Sequence, residues 1–199
     1  MYKFLFLILY FINFLPDSEW QLKKEKNGIE IYTRSFEGSS FDEFKGITKI
    51  EKSSLKEVLA VILDVENYSE LYPDCMNAKI LKQEGEYYDI HYIQTKGPLT
   101  IKDRDSVFEQ KTEVGKNGKN ARVTLKPLPG YIPENMDMVR VREGSGFWEL
   151  EEDDNGNVKV TYQYHGEPGG DIPAWLANSF VETHPLQTLK NLKNRLKKP

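Results

Sequence analysis

The chain has 199 residues, 12% of them aromatic, and 27 Lys+Arg stand against 31 Asp+Glu to leave a formal net charge of -4. That length suits one domain, the composition excludes a disordered or fibrous chain, and the lack of a basic excess excludes a protein that tracks nucleic-acid phosphates. Cys75 is the only cysteine, so stability has to come from packing and not from a disulfide.

In chain order, Lys3 precedes an apolar run over residues 4–15, interrupted only by Asn13, and Pro16 follows. The run is shorter than the roughly 20 residues of a membrane-spanning helix and matches the apolar region of a secretory signal. Residues 1–16 are therefore expected to be a signal peptide and 17–199 a periplasmic or secreted domain. A retained membrane anchor is the alternative, because no small-residue cleavage site precedes Pro16. Residues 18–26 are expected to be helical and to stop at Asn27-Gly28. Period-two alternation predicts strands over 28–34 and 41–51, paired as a hairpin. Leu55, Val58, Leu59 and Ile62 then carry the spacing of a helix buried on one side, with Ser53 or Ser54 as its cap. Helix continues through Tyr72 and stops at Pro73.

From Ala78 onward every segment reads as strand: 78–83, 86–95, 104–114, 121–126, 138–142, 146–151 and 158–165, joined mostly by short glycine-containing turns. Residues 138–151 also read as one long strand bent at Gly144 and Gly146. Over residues 172–198 a broad apolar stripe predicts a closing helix despite Pro185. Antiparallel strands that hide one face pack best by curling around such a helix. The expected class is α+β, a helix-grip fold with a curved antiparallel sheet of eight or nine strands wrapped around a long C-terminal helix.

Alternation also names the inner rows, because neighbouring side chains point to opposite faces. Val158, Val160, Tyr162 and Tyr164 read inward, with His165 outward. Ala121, Val123 and Leu125 read inward, as do Arg104, Ser106, Phe108, Gln110 and Thr112. In the strand before them Tyr88, Ile90, Tyr92 and Gln94 are assigned inward, leaving Asp89, His91 and Ile93 outside. Polar groups among aromatics suit a lined cavity better than a solid core, although a solvated rim of the sheet accounts for the same pattern. The candidate ligand contacts are Tyr88, Tyr92, Arg104, Phe108, Gln110, Val123, Leu125, Trp148 and Tyr162, with Trp175 and Phe180 from the last helix. Residues 127–133 place Leu128, Tyr131 and Ile132 among three prolines and a glycine. This segment reads either as a lid over the cavity mouth or as a permanent plug of the sheet's end.

Several stretches together carry a resemblance. They are residues 20–34, the Arg104-Asp105 pair that opens a strand, Gly146-Phe147-Trp148-Glu149-Leu150, Val160-Thr161-Tyr162-Gln163-Tyr164-His165, and the run Pro168-Gly169-Gly170-Asp171-Ile172-Pro173-Ala174-Trp175-Leu176-Ala177-Asn178. Over about residues 17–197 the chain resembles a START (steroidogenic acute regulatory protein-related lipid-transfer) domain. The resemblance implies a deep cavity between sheet and C-terminal helix, a lid made by a loop and that helix, and binding without turnover. Cholesterol-binding members carry an inward charge further along the strand that opens with Arg-Asp. The comparable position here is Gln110, which leaves a fatty acid, a phospholipid or another isoprenoid as open as a steroid.

The chain's 3 histidines sit on different elements without metal-ligand spacing, so neither a metal nor another cofactor is expected. A polyketide cyclase or small hydrolase on the same superfold is the alternative function. It needs a general acid or base in the cavity, and the titratable groups read inward are Arg104 and the tyrosines. A ligand-free interaction domain is a third reading. The basic end of the last helix, with Lys190, Lys193, Arg195, Lys197 and Lys198, complements the helix dipole or attracts anionic head groups at a membrane surface. The partners expected are one lipid or other apolar molecule, that membrane surface, and no nucleic acid, for a monomer.

Overall fold

Asn27 and Gly28 have φ of 55° and 69°, the two left-handed conformations of a type I′ hairpin turn that Asn-Gly favours. The turn joins β1 (Gln21–Lys26) to β2 (Ile29–Arg34) as antiparallel neighbours. Residues 21–26, expected to be helical, are therefore a strand. A two-residue turn folds the chain back onto itself, and Trp20 is fixed across the hairpin by Arg34 and Lys45, whose charges lie 4.5 and 4.3 Å from its ring centroid. In this computed structural model residues 19–97 and 100–197 are described, and the expected signal segment lies outside them.

β3 (Glu43–Ile50) completes the first three strands. Ser54 then starts α1 (Leu55–Ile62) with a capping box: its hydroxyl accepts from the Glu57 N–H while the Glu57 carboxylate accepts from its own N–H. A 3₁₀ turn (Val65–Asn67) leads into the single turn α2 (Tyr68–Leu71). Next come β4 (Cys75–Gln83), β5 (Tyr88–Thr95), β6 (Arg104–Val114), β7 (Asn120–Pro127), the two-residue β8 (Val139–Arg140), β9 (Glu143–Glu152) and β10 (Val158–Glu167). α3 (Ala174–Lys197) runs through Pro185 and closes the described chain. The 10 strands form one sheet in the order β1-β2-β3-β10-β9-β7-β6-β5-β4, with β8 beside β6. This is the helix-grip arrangement, with one strand more than the larger expected number.

The concave face holds the main core. Leu189 and Leu192 of α3 are fully buried against β2, β3 and α1. At Gly46 the helix comes so close that a Cβ would stand 2.7 Å from Leu189 Cδ1. The other half of α3 is more open, with Trp175 74% exposed.

The convex face carries a second core, which corrects three expectations. In the β5–β6 ladder Thr95 faces Arg104, Ile93 faces Ser106 and His91 faces Phe108. Directly opposite residues share a face, so His91 and Ile93 point inward while Tyr88 and Tyr92 point outward, the reverse of the assignment made from hydrophobicity. The choice failed because Ile90, Tyr92 and Val107 are apolar for a different reason: Leu128 and Ile132 pack on them from outside. The segment expected as a possible lid thus covers the back of the sheet, and Tyr131 stays largely exposed. Residues 138–151 are likewise not one strand, because β8 pairs in parallel with β6 while β9 lies between β7 and β10. Arg140 fastens this segment. It donates to both oxygens of the buried Asp105 at 2.9 Å and to the carbonyls of Pro129, Ile132 and Pro133. His165 does point outward, yet it is buried, because Phe36 stacks on it at 3.7 Å.

Candidate functional site

Between the concave face and the first half of α3 lies a cavity of about 320 Å³, partly open to solvent. One wall is the β5–β6 ladder, with His91, Ile93 and Thr95 opposite Phe108, Ser106 and Arg104. Tyr162 and Tyr164 of β10 form the second wall, Tyr68 and Tyr72 the third, and Phe180, Val181 and His184 of α3 the fourth. The aromatic groups brace one another: Trp148 stacks on Tyr162 at 4.0 Å from behind, and Phe44 meets Tyr162 edge-on at 5.0 Å. Burial pushes the Tyr68 and Tyr162 hydroxyls well above their ordinary range, so they are neutral hydrogen-bonding groups and not bases.

Tyr164 owes its position to glycine. It pairs with Gly146, where a Cβ would lie 2.4 Å from its ring, and Cβ atoms at Gly144 and Gly166 would stand 2.7 and 2.6 Å from its phenol group. Three missing side chains let this ring lie against the sheet and keep the cavity clear.

Arg104 stands at the cavity's edge, 5% exposed. Its Nη1 donates to the Lys102 carbonyl and its Nη2 to Gly169 O at 3.2 Å, so one guanidinium ties the loop before β6 to the connection before α3. Gly169 and Gly170, both at φ 65°, bring that connection in. Nε of Arg104 is buried without a partner among the described residues. Loss of water lowers the pKa of this group, which raises the value of any anion that reaches Nε.

Five of the expected contact residues line the cavity, namely Arg104, Phe108, Leu125, Tyr162 and Phe180. Trp148 and Val123 support it from the core, and Gln110 is bonded behind the wall to Tyr68 and Asp89. Trp175 points to solvent, while Tyr88, Tyr92, Leu128, Tyr131 and Ile132 lie away from it. His91, Ile93, Tyr68, Tyr72 and Phe44 line the cavity without having been singled out. The cross-strand partner of Arg104 could have revealed the β5 row, had the register of that hairpin been known. At the basic end of α3, Arg195 pairs with Asp64 and Glu70, and Lys193 caps the Asn27 carbonyl, so both are taken up by the fold.

A curved antiparallel sheet gripping a long helix around an aromatic-walled cavity defines the class: a START-type helix-grip protein. Comparison with known proteins places the chain within it. Residues 53–193 match the family described as polyketide cyclase / dehydrase and lipid transport, and the chain belongs to that family. It is 38% identical to the uncharacterized protein PA1579 of Pseudomonas aeruginosa over 90% of this chain and 88% of that one. The human phosphatidylcholine transfer protein is 27% identical over 92% of this chain and 88% of its own. Among solved structures, a STAR-related lipid transfer protein fragment from Xanthomonas axonopodis superposes with a TM-score of 0.83 and 34% identity, covering 90% of this chain and 99% of that one. The Zhui aromatase/cyclase from a Streptomyces species shares the fold alone, at 14% identity and a TM-score of 0.50 over 77% of this chain and 92% of that one.

Proposed function

We infer that the protein is a non-catalytic carrier that holds one lipid, hydrocarbon between the aromatic walls and polar head beside Arg104. The observation that carries this reading is the unpartnered Nε of Arg104 at the edge of a cavity whose walls carry Tyr68, Tyr72, Phe108, Tyr162, Tyr164 and Phe180, with Asp42, Asp74, Lys96 and Glu167 also on its lining. Each buried methylene contributes about 0.8 kcal/mol, so a single medium-length chain supplies useful affinity without chemistry. The likeness to phosphatidylcholine transfer proteins favours a phospholipid, whose phosphate is an anion suited to Nε. A cavity of about 320 Å³ sits at the small end of ligand sites, so a two-chain lipid requires the first half of α3 to swing outward. The exposed Trp175 and the low burial of that half fit this movement. With residues 1–16 read as an export signal, the carrier acts in the periplasm or outside the cell.

Vesicle transfer tests the reading. Fluorescent phosphatidylcholine should move between vesicles at a rate proportional to protein concentration, and Arg104→Met should slow it. No acceleration with phosphatidylcholine, an anionic phospholipid or a fatty acid would overturn it.

A second reading has one specific observation in its favour. His91 faces the cavity and not the solvent, with its Nδ1 2.6 Å from Asp89 Oδ1, so the inward base that a cyclase needs is present. Turnover of an aromatic polyketide that stops on His91→Phe would establish this alternative.

A further inference from the structure

His91 ends a buried chain of hydrogen bonds. Tyr68 Oη lies 3.0 Å from Gln110 Oε1, Gln110 Nε2 donates to Asp89 Oδ2 at 2.7 Å, and Asp89 Oδ1 meets His91 Nδ1 at 2.6 Å. Each link fixes the next. A carboxylate offers only acceptors, so Gln110 must turn its amide nitrogen toward Asp89 and its oxygen toward Tyr68, and His91 must carry a proton on Nδ1. In the neutral ring that leaves a bare lone pair on Nε2. Nε2 is buried and has no partner among the described residues, although the His91 side chain lines the cavity. A buried acceptor left unmet is costly, and the rings packed on His91, Phe108 and Tyr68, bring no donor to it.

We propose that the cavity is built for a lipid with a hydroxyl on its buried hydrocarbon, which donates its proton to Nε2 of His91. This deepens the carrier reading and rests on it. The two polar positions also set a length. Phe108, the cross-strand partner of His91, is four residues beyond Arg104 on β6, about 13 Å at ~3.3 Å per residue. A hydroxylated medium-chain acid spans that distance, with its carboxylate at Arg104 and its hydroxyl at His91. A plain acyl chain of the same length leaves Nε2 unpaired.

The test compares ω-hydroxydodecanoate, ω-methoxydodecanoate and dodecanoate as competitors of a fluorescent fatty acid on the wild-type protein. The hydroxy acid should bind about tenfold more tightly than the methoxy acid, which keeps the oxygen and loses the donor. Nitrogen NMR of labelled histidine should report His91 protonated on Nδ1 before binding, with the Nε2 resonance shifted by the hydroxy acid alone. Equal affinities for all three, or a ring protonated on Nε2, would overturn the proposal and leave the carrier reading standing. Failure of all three to bind would also overturn the proposal, while transfer of phosphatidylcholine between vesicles decides the carrier reading independently.

Discussion

Replacing Asp105 by Asn keeps the shape of the convex face and removes one charge. The structure makes this a severe change, because Asp105 and Arg140 are each only 1% exposed along the side chain and meet through two hydrogen bonds of 2.9 Å. Arg140 would stay buried with three backbone carbonyls for company but without the carboxylate it is bonded to, and the amide could accept only one of its two bonds. Removing one partner of such a pair costs about 3–5 kcal/mol. For a chain of this size that corresponds to a loss of roughly 6–20 °C in Tm. Urea unfolding and thermal melts of the two proteins measure it, with the double variant Asp105→Leu/Arg140→Met as a control that should recover much of the loss. If Asp105→Asn loses under 1 kcal/mol, the segment over the back of the sheet is not fastened as described, and its exclusion from the role of lid falls with it.

Gly146→Ala should force the Tyr164 ring toward the cavity, destabilise the fold by about 1–3 kcal/mol and weaken binding of a fluorescent lipid; unchanged affinity would show that the ring has room elsewhere. His184 gives a pH dependence. Burial lowers its pKa below the ordinary 6.5, with Asp74 at 4.0 Å opposing the shift. The folded state therefore favours the neutral ring, so stability is full above 6.5 and falls as pH drops through and below that value. Hydrogen-exchange protection factors in the first half of α3, corrected for the slower intrinsic exchange in acid, should fall on acidification in the wild type and much less in His184→Gln. Gly46→Ala should lower Tm through its clash with Leu189 and leave the rim of the cavity intact, and a neutral effect would mean the helix rides further from β3 than described.

The class of fold was legible because period-two strands and one long apolar stripe leave few ways to hide a single face. Leu125 and Tyr162 were legible for the same reason, each lying on a strand with one apolar row, while Arg104 and Phe108 were legible because every residue of β6's other row but Val107 is charged. β5 was not, because both of its rows carry apolar groups and a one-residue change of register exchanges them. That single parity error moved His91 out of the cavity and Tyr88 and Tyr92 into it. Leu128 and Ile132 signalled that something had to be covered, but not which face of the sheet. The strand at 21–26 is not legible because Asn27-Gly28 serves equally as the stop of a helix and as the tight turn that it builds here.

The most direct measurement is native mass spectrometry of the freshly purified protein, followed by extraction of whatever it carries. One lipid per chain is expected, lost on unfolding, with Arg104→Met retaining less of it. A chain that is always empty, and stays empty after incubation with phospholipid vesicles and fatty acids, would contradict it.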